Sequence, residues 1–172
     1  MASANNTNKG INNNQQNSIR CMQINLQHSR LATDNLMNLI QQDYIDTVFV
    51  QEPHLIQNKT AGITRIHRTC ISDDVKSWAA IITADSIDAV LIKQLCNREN
   101  VVLELRYKNT RTLAANMYLD ISEETDERTA KVGEILNYNN GSGIIIAMDS
   151  NSRSTGRYDN KTKQEVKRWK NI

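Results

Sequence analysis

The sequence predicts one α/β domain built on mixed sheets, and three observations carry that prediction. A strand–helix–strand pattern of 33 residues runs from Ile19 to Gln51. A series of short strand candidates follows between Trp78 and Leu119. A helix-like stretch, 123–139, then leads into the continuous apolar run Ile144-Ile-Ile-Ala-Met148. Strands and helices mixed in this way call for sheets covered by helices.

The elements follow in order. Residues 1–17 form an Asn-rich tail: between Asn5 and Asn17 there are seven Asn, with Ile11 the only apolar residue. Such a segment buries too little surface to offset its ordering entropy, so it is expected to be disordered, with the domain occupying 18–172. Ile19-Arg-Cys-Met-Gln-Ile-Asn-Leu26 alternates partially and predicts a strand. Residues 31–43 carry Leu36, Leu39 and Ile40 after a cap at Thr33 or Asp34, which predicts a helix. Thr47-Val-Phe-Val-Gln51 is a second strand, ended by Pro53. These two strands can lie parallel.

Residues 54–65 read as a polar loop. Strands are predicted at 78–83, 89–95, 101–107 and 112–119, the last two joined by a hairpin turn at Asn109-Thr110. The helix 123–139 presents Ala130, Val132, Ile135 and Leu136 on its apolar side, and Gly141-Ser-Gly143 stops it. The run 144–148 suits a strand buried on both faces.

A chain of 172 residues and 19.6 kDa is one ordinary domain, and 39% hydrophobic residues suffice for a core. The net charge of +2 excludes a bulk polycation, so any affinity for nucleic acid must come from a local patch. One such patch is 150–172, with seven Lys/Arg against two Asp/Glu. It reads equally well as a solvated helix face over 161–170. Aromatic residues make up only 5%, so no stacking platform is expected. Cys21, Cys70 and Cys96 are odd in number and lie at no zinc-ligand spacing with the three His, which suits idle thiols in a reducing compartment. No apolar run reaches membrane-span length, no signal-peptide core opens the chain, and an intracellular protein is expected.

Three strand candidates deliver a polar or acidic residue at their C-terminal ends: Asn25, Glu52 and Asp149. Strand ends of this kind open onto ligand-binding crevices. A carboxylate beside low-dielectric protein is costly unless paired. A divalent cation shared by Glu52 and Asp149 would relieve that cost, and oxygen donors with an incomplete protein shell suit Mg²⁺. Each residue alone is more often a cap or turn residue; their combination and order carry the case.

Four segments in order, Gln23-Ile-Asn25-Leu, Val50-Gln51-Glu52-Pro53, Asn116-Met-Tyr118-Leu-Asp120 and Met148-Asp149-Ser-Asn151, resemble the successive motifs of the endonuclease/exonuclease/phosphatase superfamily. Gln23 to Arg30 and Asp149-Ser-Asn-Ser-Arg-Ser-Thr155 are similar to the apurinic-type endonuclease domains of non-LTR retrotransposons, those of arthropods in particular. The resemblance spans Ile19 to about Asp159. It implies a DNase I-like fold, a two-layer β-sandwich flanked by helices, and metal-dependent phosphodiester hydrolysis that nicks double-stranded target DNA.

By the same resemblance Glu52 is a metal ligand and Asn25 helps place metal and phosphate. Tyr118 lies beside the scissile phosphate, Asp149 orients or deprotonates the attacking water, and Asn151 hydrogen-bonds the phosphate. Mg²⁺ is the expected metal, with Mn²⁺ as an alternative. Arg153 and Arg157 are candidate DNA contacts; Arg157 stands where relatives tend to have an aromatic residue. A reverse transcriptase domain in the same polyprotein and a nuclear site of action are the implied context. His28 is expected to be a surface histidine near the crevice.

The superfamily ends on a Ser-Asp-His motif. Here the last histidine is His67, and none follows Asp149. The sequence thus resembles the front part of such a domain, incomplete at its C-terminus, with weak or no nuclease activity expected of the 172 residues. The alternatives are a non-catalytic retrotransposon remnant and a phosphoesterase of the same superfamily with another substrate.

Overall fold

A computed structural model of the chain describes residues 18–56, 59–60, 66–74, 76–120, 122 and 124–151. The expectations for residues 1–17, and for Arg153, Arg157 and the rest of the basic end, fall outside them.

The first strand–helix–strand unit forms as predicted. Strand β1 (Cys21–Asn25) and β2 (Thr47–Gln51) pair in parallel, with Asn25 level with Gln51, across helix α1 (Arg30–Gln42). The helix begins one residue after its cap Ser29, not at Thr33 or Asp34. Ser29 Oγ accepts from the Ala32 N–H, 3.2 Å, satisfying one of the unpaired donors of the first turn. Thr33 is already inside the helix, where its hydroxyl donates back to the Ser29 carbonyl, 2.9 Å.

The stretch after Pro53 is not simply a loop. It holds the antiparallel pair β3 (Leu55–Ile56) and β4 (Lys59–Thr60). Strand β5 (His67–Cys70), too short and too mixed to register as a pattern, pairs with β6 (Ala79–Ala84). The predicted strand 89–95 is cut short. Strand β7 (Asp88–Leu91) ends and a 3₁₀ turn, Lys93–Leu95, follows, closed by the Leu95 N–H to the Ile92 carbonyl. Strands β8 (Asn100–Tyr107) and β9 (Thr110–Tyr118) form the predicted hairpin. Its turn is Lys108-Asn109, one residue earlier than expected, with Lys108 in the left-handed region at φ 54°. Helix α2 (Thr125–Tyr138) then leads to β10 (Gly143–Asp149), parallel to β9.

The described strands make two four-stranded sheets, ordered β1-β2-β6-β5 and β10-β9-β8-β7. Alternation along each strand sorts the side chains into three cores. Between the sheets lie Phe49, Ala79, Ile81, Val101, Leu103, Leu105 and Ala114. On the far side of the first sheet Val48, Val50, Ala80 and Ile82 meet Leu36, Met37 and Ile40 of α1. On the far side of the second, Val102, Leu113, Ala115 and Met117 meet Val132 and Ile135 of α2. This is the predicted two-layer sandwich flanked by helices.

Among the described residues β10 pairs only with β9, and its isoleucines are half-buried, so both of its faces are covered but less fully than its apolar run predicts. Its apolar side chains pack partly on the sandwich core (Ile145) and partly on the α2 core (Ile144, Ile146).

Candidate active site

The two parallel pairs point their C-terminal ends the same way, and the candidate residues gather there. Asn25 ends β1, Glu52 follows β2, Tyr118 ends β9 and Asp149 ends β10, with Tyr118 and Asp149 directly paired in register. Glu52 and Asp149 follow strands that are not neighbours in a sheet. They belong to opposite sheets, and the crevice lies where the two sheets meet.

Asn25 joins them. Its Nδ2 donates to Glu52 Oε1 and to Asp149 Oδ2, each at 3.0 Å. Its Oδ1 accepts from the Gln27 N–H, 2.8 Å. The second oxygen of Asp149 accepts from the Asn151 N–H, 3.2 Å, and Asn151 Nδ2 donates to the Leu119 carbonyl, 3.0 Å. Burial, and then the Glu52 carboxylate, push the Tyr118 phenol above its usual range, so it stays a neutral donor at physiological pH.

Glu52 has a left-handed backbone, φ 47°, a region that costs a non-glycine residue of order 1–2 kcal/mol. Its neighbours over-determine that conformation. The Glu52 N–H donates to the Trp78 carbonyl and the Glu52 carbonyl accepts from the His28 N–H, both at 2.8 Å. His28 does more than sit at the surface. Its Nδ1 is 3.1 Å from the Pro53 carbonyl, and its Nε2 is 3.8 Å from Glu52 Oε2.

Trp78, Arg98 and Arg128 enter the site without any sequence signal, and Gln51 and Asn116, which stand in the quoted motifs, take roles that no motif assigned. Trp78 stacks on Tyr118, with centroids 4.9 Å apart and planes 27° from parallel, and meets the His28 ring edge-on at 4.9 Å. Arg98 lies 5.2 Å over the indole. A sparse aromatic content therefore does concentrate at the crevice, contrary to expectation. Beneath it Gln51 Nε2 donates to Asn116 Oδ1, and Asn116 Nδ2 donates to the carbonyls of Val50 and Ala80, both 2.8 Å, across the sheet interface. Arg128 of α2, fully buried, donates to the carbonyls of Asp120 and Ser150, tying together the loops that follow β9 and β10.

The donor set fits a hard divalent cation. Two carboxylates from different sheets converge on a single nitrogen, where their charges would otherwise repel. A donor set of two carboxylates is short of a full coordination shell, as suits Mg²⁺, which keeps waters and takes phosphate oxygens. Asn25 presents its amide nitrogen to them while the Gln27 N–H holds its Oδ1, so ligation through Oδ1 calls for the amide to turn over. Among the described residues no third His, Cys, Asp or Glu joins the pair as a metal cluster.

This layering of helices on a two-sheet sandwich is the DNase I-like fold of the endonuclease/exonuclease/phosphatase structures. The endonuclease domain of TRAS1, a telomere-specific non-LTR retrotransposon, superposes with a TM-score of 0.74 at 19% identity, over 88% of this chain and 67% of that one. Danio rerio TDP2 complexed with a single-strand DNA product superposes at 0.59, with 15% identity, over 87% and 64%. The AP endonuclease LMAP from Leishmania major superposes at 0.55, with 13% identity, over 78% and 55%. The chain thus spans about two thirds or less of the length of these proteins. No protein-family model and no curated protein sequence matches the chain.

Proposed function

We propose that the chain is a domain of the endonuclease/exonuclease/phosphatase superfamily that hydrolyses DNA phosphodiester bonds with Mg²⁺ or Mn²⁺, in the setting of a non-LTR retrotransposon. One observation carries the reading: Glu52 and Asp149, from opposite sheets, share the amide of Asn25. The similarity of the fold to the TRAS1 endonuclease domain supports the DNA substrate, as does the DNA product in the TDP2 complex. A linked reverse transcriptase and nuclear target DNA belong to the same proposal.

In this scheme Glu52 holds the metal, with Asn25 beside it. The cation, when bound, neutralises charge developing on the phosphate oxygens. Asp149, fixed by the Asn151 N–H, orients water and takes its proton. Tyr118, kept neutral by its surroundings, donates to a phosphate oxygen, and the Asn151 amide supports it there. Arg153 and Arg157 are proposed contacts to the DNA backbone.

Calorimetric titration with Mn²⁺ tests the site directly. The expected result is one site that is lost in Glu52→Gln and weakened in Asp149→Asn. Equal binding by Glu52→Gln would sink the reading. Plasmid nicking in Mg²⁺ tests the chemistry. It should fall at least about a hundredfold in Asp149→Ala. The rival reading, a non-catalytic DNA-binding remnant, predicts DNA binding with no metal-dependent nicking at all.

A further inference from the structure

The geometry points to a nucleobase pocket beside the carboxylate pair. A cavity of about 250 Å³ is bounded by His28, Pro53, Leu55, Lys76, Trp78 and Arg98. Its walls are mainly apolar: a proline ring, a leucine and an indole. Among the described residues that line it the charged ones are the cations Lys76 and Arg98, and none is a carboxylate. Drug-sized ligands need about 300 Å³ or more, so this volume suits a smaller flat group. His28 joins the pocket to the site, since its ring reaches both Trp78 and Glu52.

Apolar and aromatic walls under a cationic rim select a planar ring carried on a phosphate chain. A base swung out of its stack beside the reacting phosphodiester meets that description. The ring would lie among Pro53, Leu55 and Trp78, while Lys76 and Arg98 hold the flanking phosphates. The cations add affinity without regard to sequence, and the walls add affinity only when a base is present. This inference rests on the nucleic-acid reading above and deepens it by naming what the crevice grips next to the cleaved bond.

Fluorescence anisotropy in EDTA separates binding from hydrolysis. The full chain is titrated against labelled hexathymidylate and against a hexamer of abasic residues with the same phosphates. Hexathymidylate should bind at least about fivefold more tightly, the smaller effect expected of one stacked base. Leu55→Trp, which fills the cavity, should bring the two affinities together, as should Trp78→Ala. Lys76→Ala should weaken both probes by a similar factor. Equal affinities in the unaltered chain, no binding of either probe, or a difference that persists in Leu55→Trp would overturn the pocket. Loss of metal binding or nicking with the base preference intact would count against the nuclease reading alone.

Discussion

Asn25 occupies the position where two carboxylates meet, and its amide does for them what a cation would do. Removing it leaves Glu52 and Asp149 facing each other without their shared donor. Asn25→Ala should therefore lower the stability of the metal-free protein by about 1–2 kcal/mol, the range for partly exposed hydrogen bonds to charged groups. Adding Mn²⁺ should narrow that gap, because the cation supplies the missing counter-charge. Thermal melts of both forms with and without metal check this; a gap unchanged by metal would detach Asn25 from the cation site. Arg128 is a different kind of residue. It is wholly buried, and its guanidinium serves the loops after β9 and β10. Arg128→Met should cost about 3 kcal/mol by denaturant titration and should loosen Asp149 as well.

At the scale of elements, the strand ends were legible because burial writes them plainly. Thr47–Gln51 is buried throughout, and Glu52 is where the chain escapes. The helices were legible from their apolar spacing, although the cap of α1 was not. Thr33 and Asp34 suit a cap by type, but only backbone geometry shows that Ser29 takes the role. Ser29→Ala should destabilise the protein by about 1 kcal/mol in a chemical melt, the usual loss for a cap. Trp78, Arg98, Gln51 and Asn116 could not be read because their roles depend on partners far away in the chain. Asn116 reaches across 66 residues to the Val50 carbonyl, and no local pattern encodes that. The short strands β3 to β5 were missed for a related reason: two to four residues are too few for a period to show.

For the molecule as a whole, acid response follows from two carboxylates held below their usual range. Hydrogen bonds from Arg111 and Arg106 lower Glu104 on the β8–β9 hairpin, and hydrogen bonds from Ser122 lower Asp120. A group whose folded-state pKa is depressed adds stability above its unfolded value and loses it as pH falls through the folded one. Stability should thus be level near neutrality and decline below about pH 5. Glu104→Gln should flatten part of that decline in melts recorded from neutral to about pH 3, the effect being modest because both arginines are half-exposed. The stacked pair of Trp78 and Tyr118 has one ring from each sheet, Trp78 just before β6 and Tyr118 at the end of β9. Their mutual tilt and spacing persist only while the halves of the sandwich are seated together. The chain therefore carries a built-in optical gauge of its own assembly: a near-ultraviolet dichroism band from coupled rings, which Tyr118→Leu should erase while helix and strand signals remain.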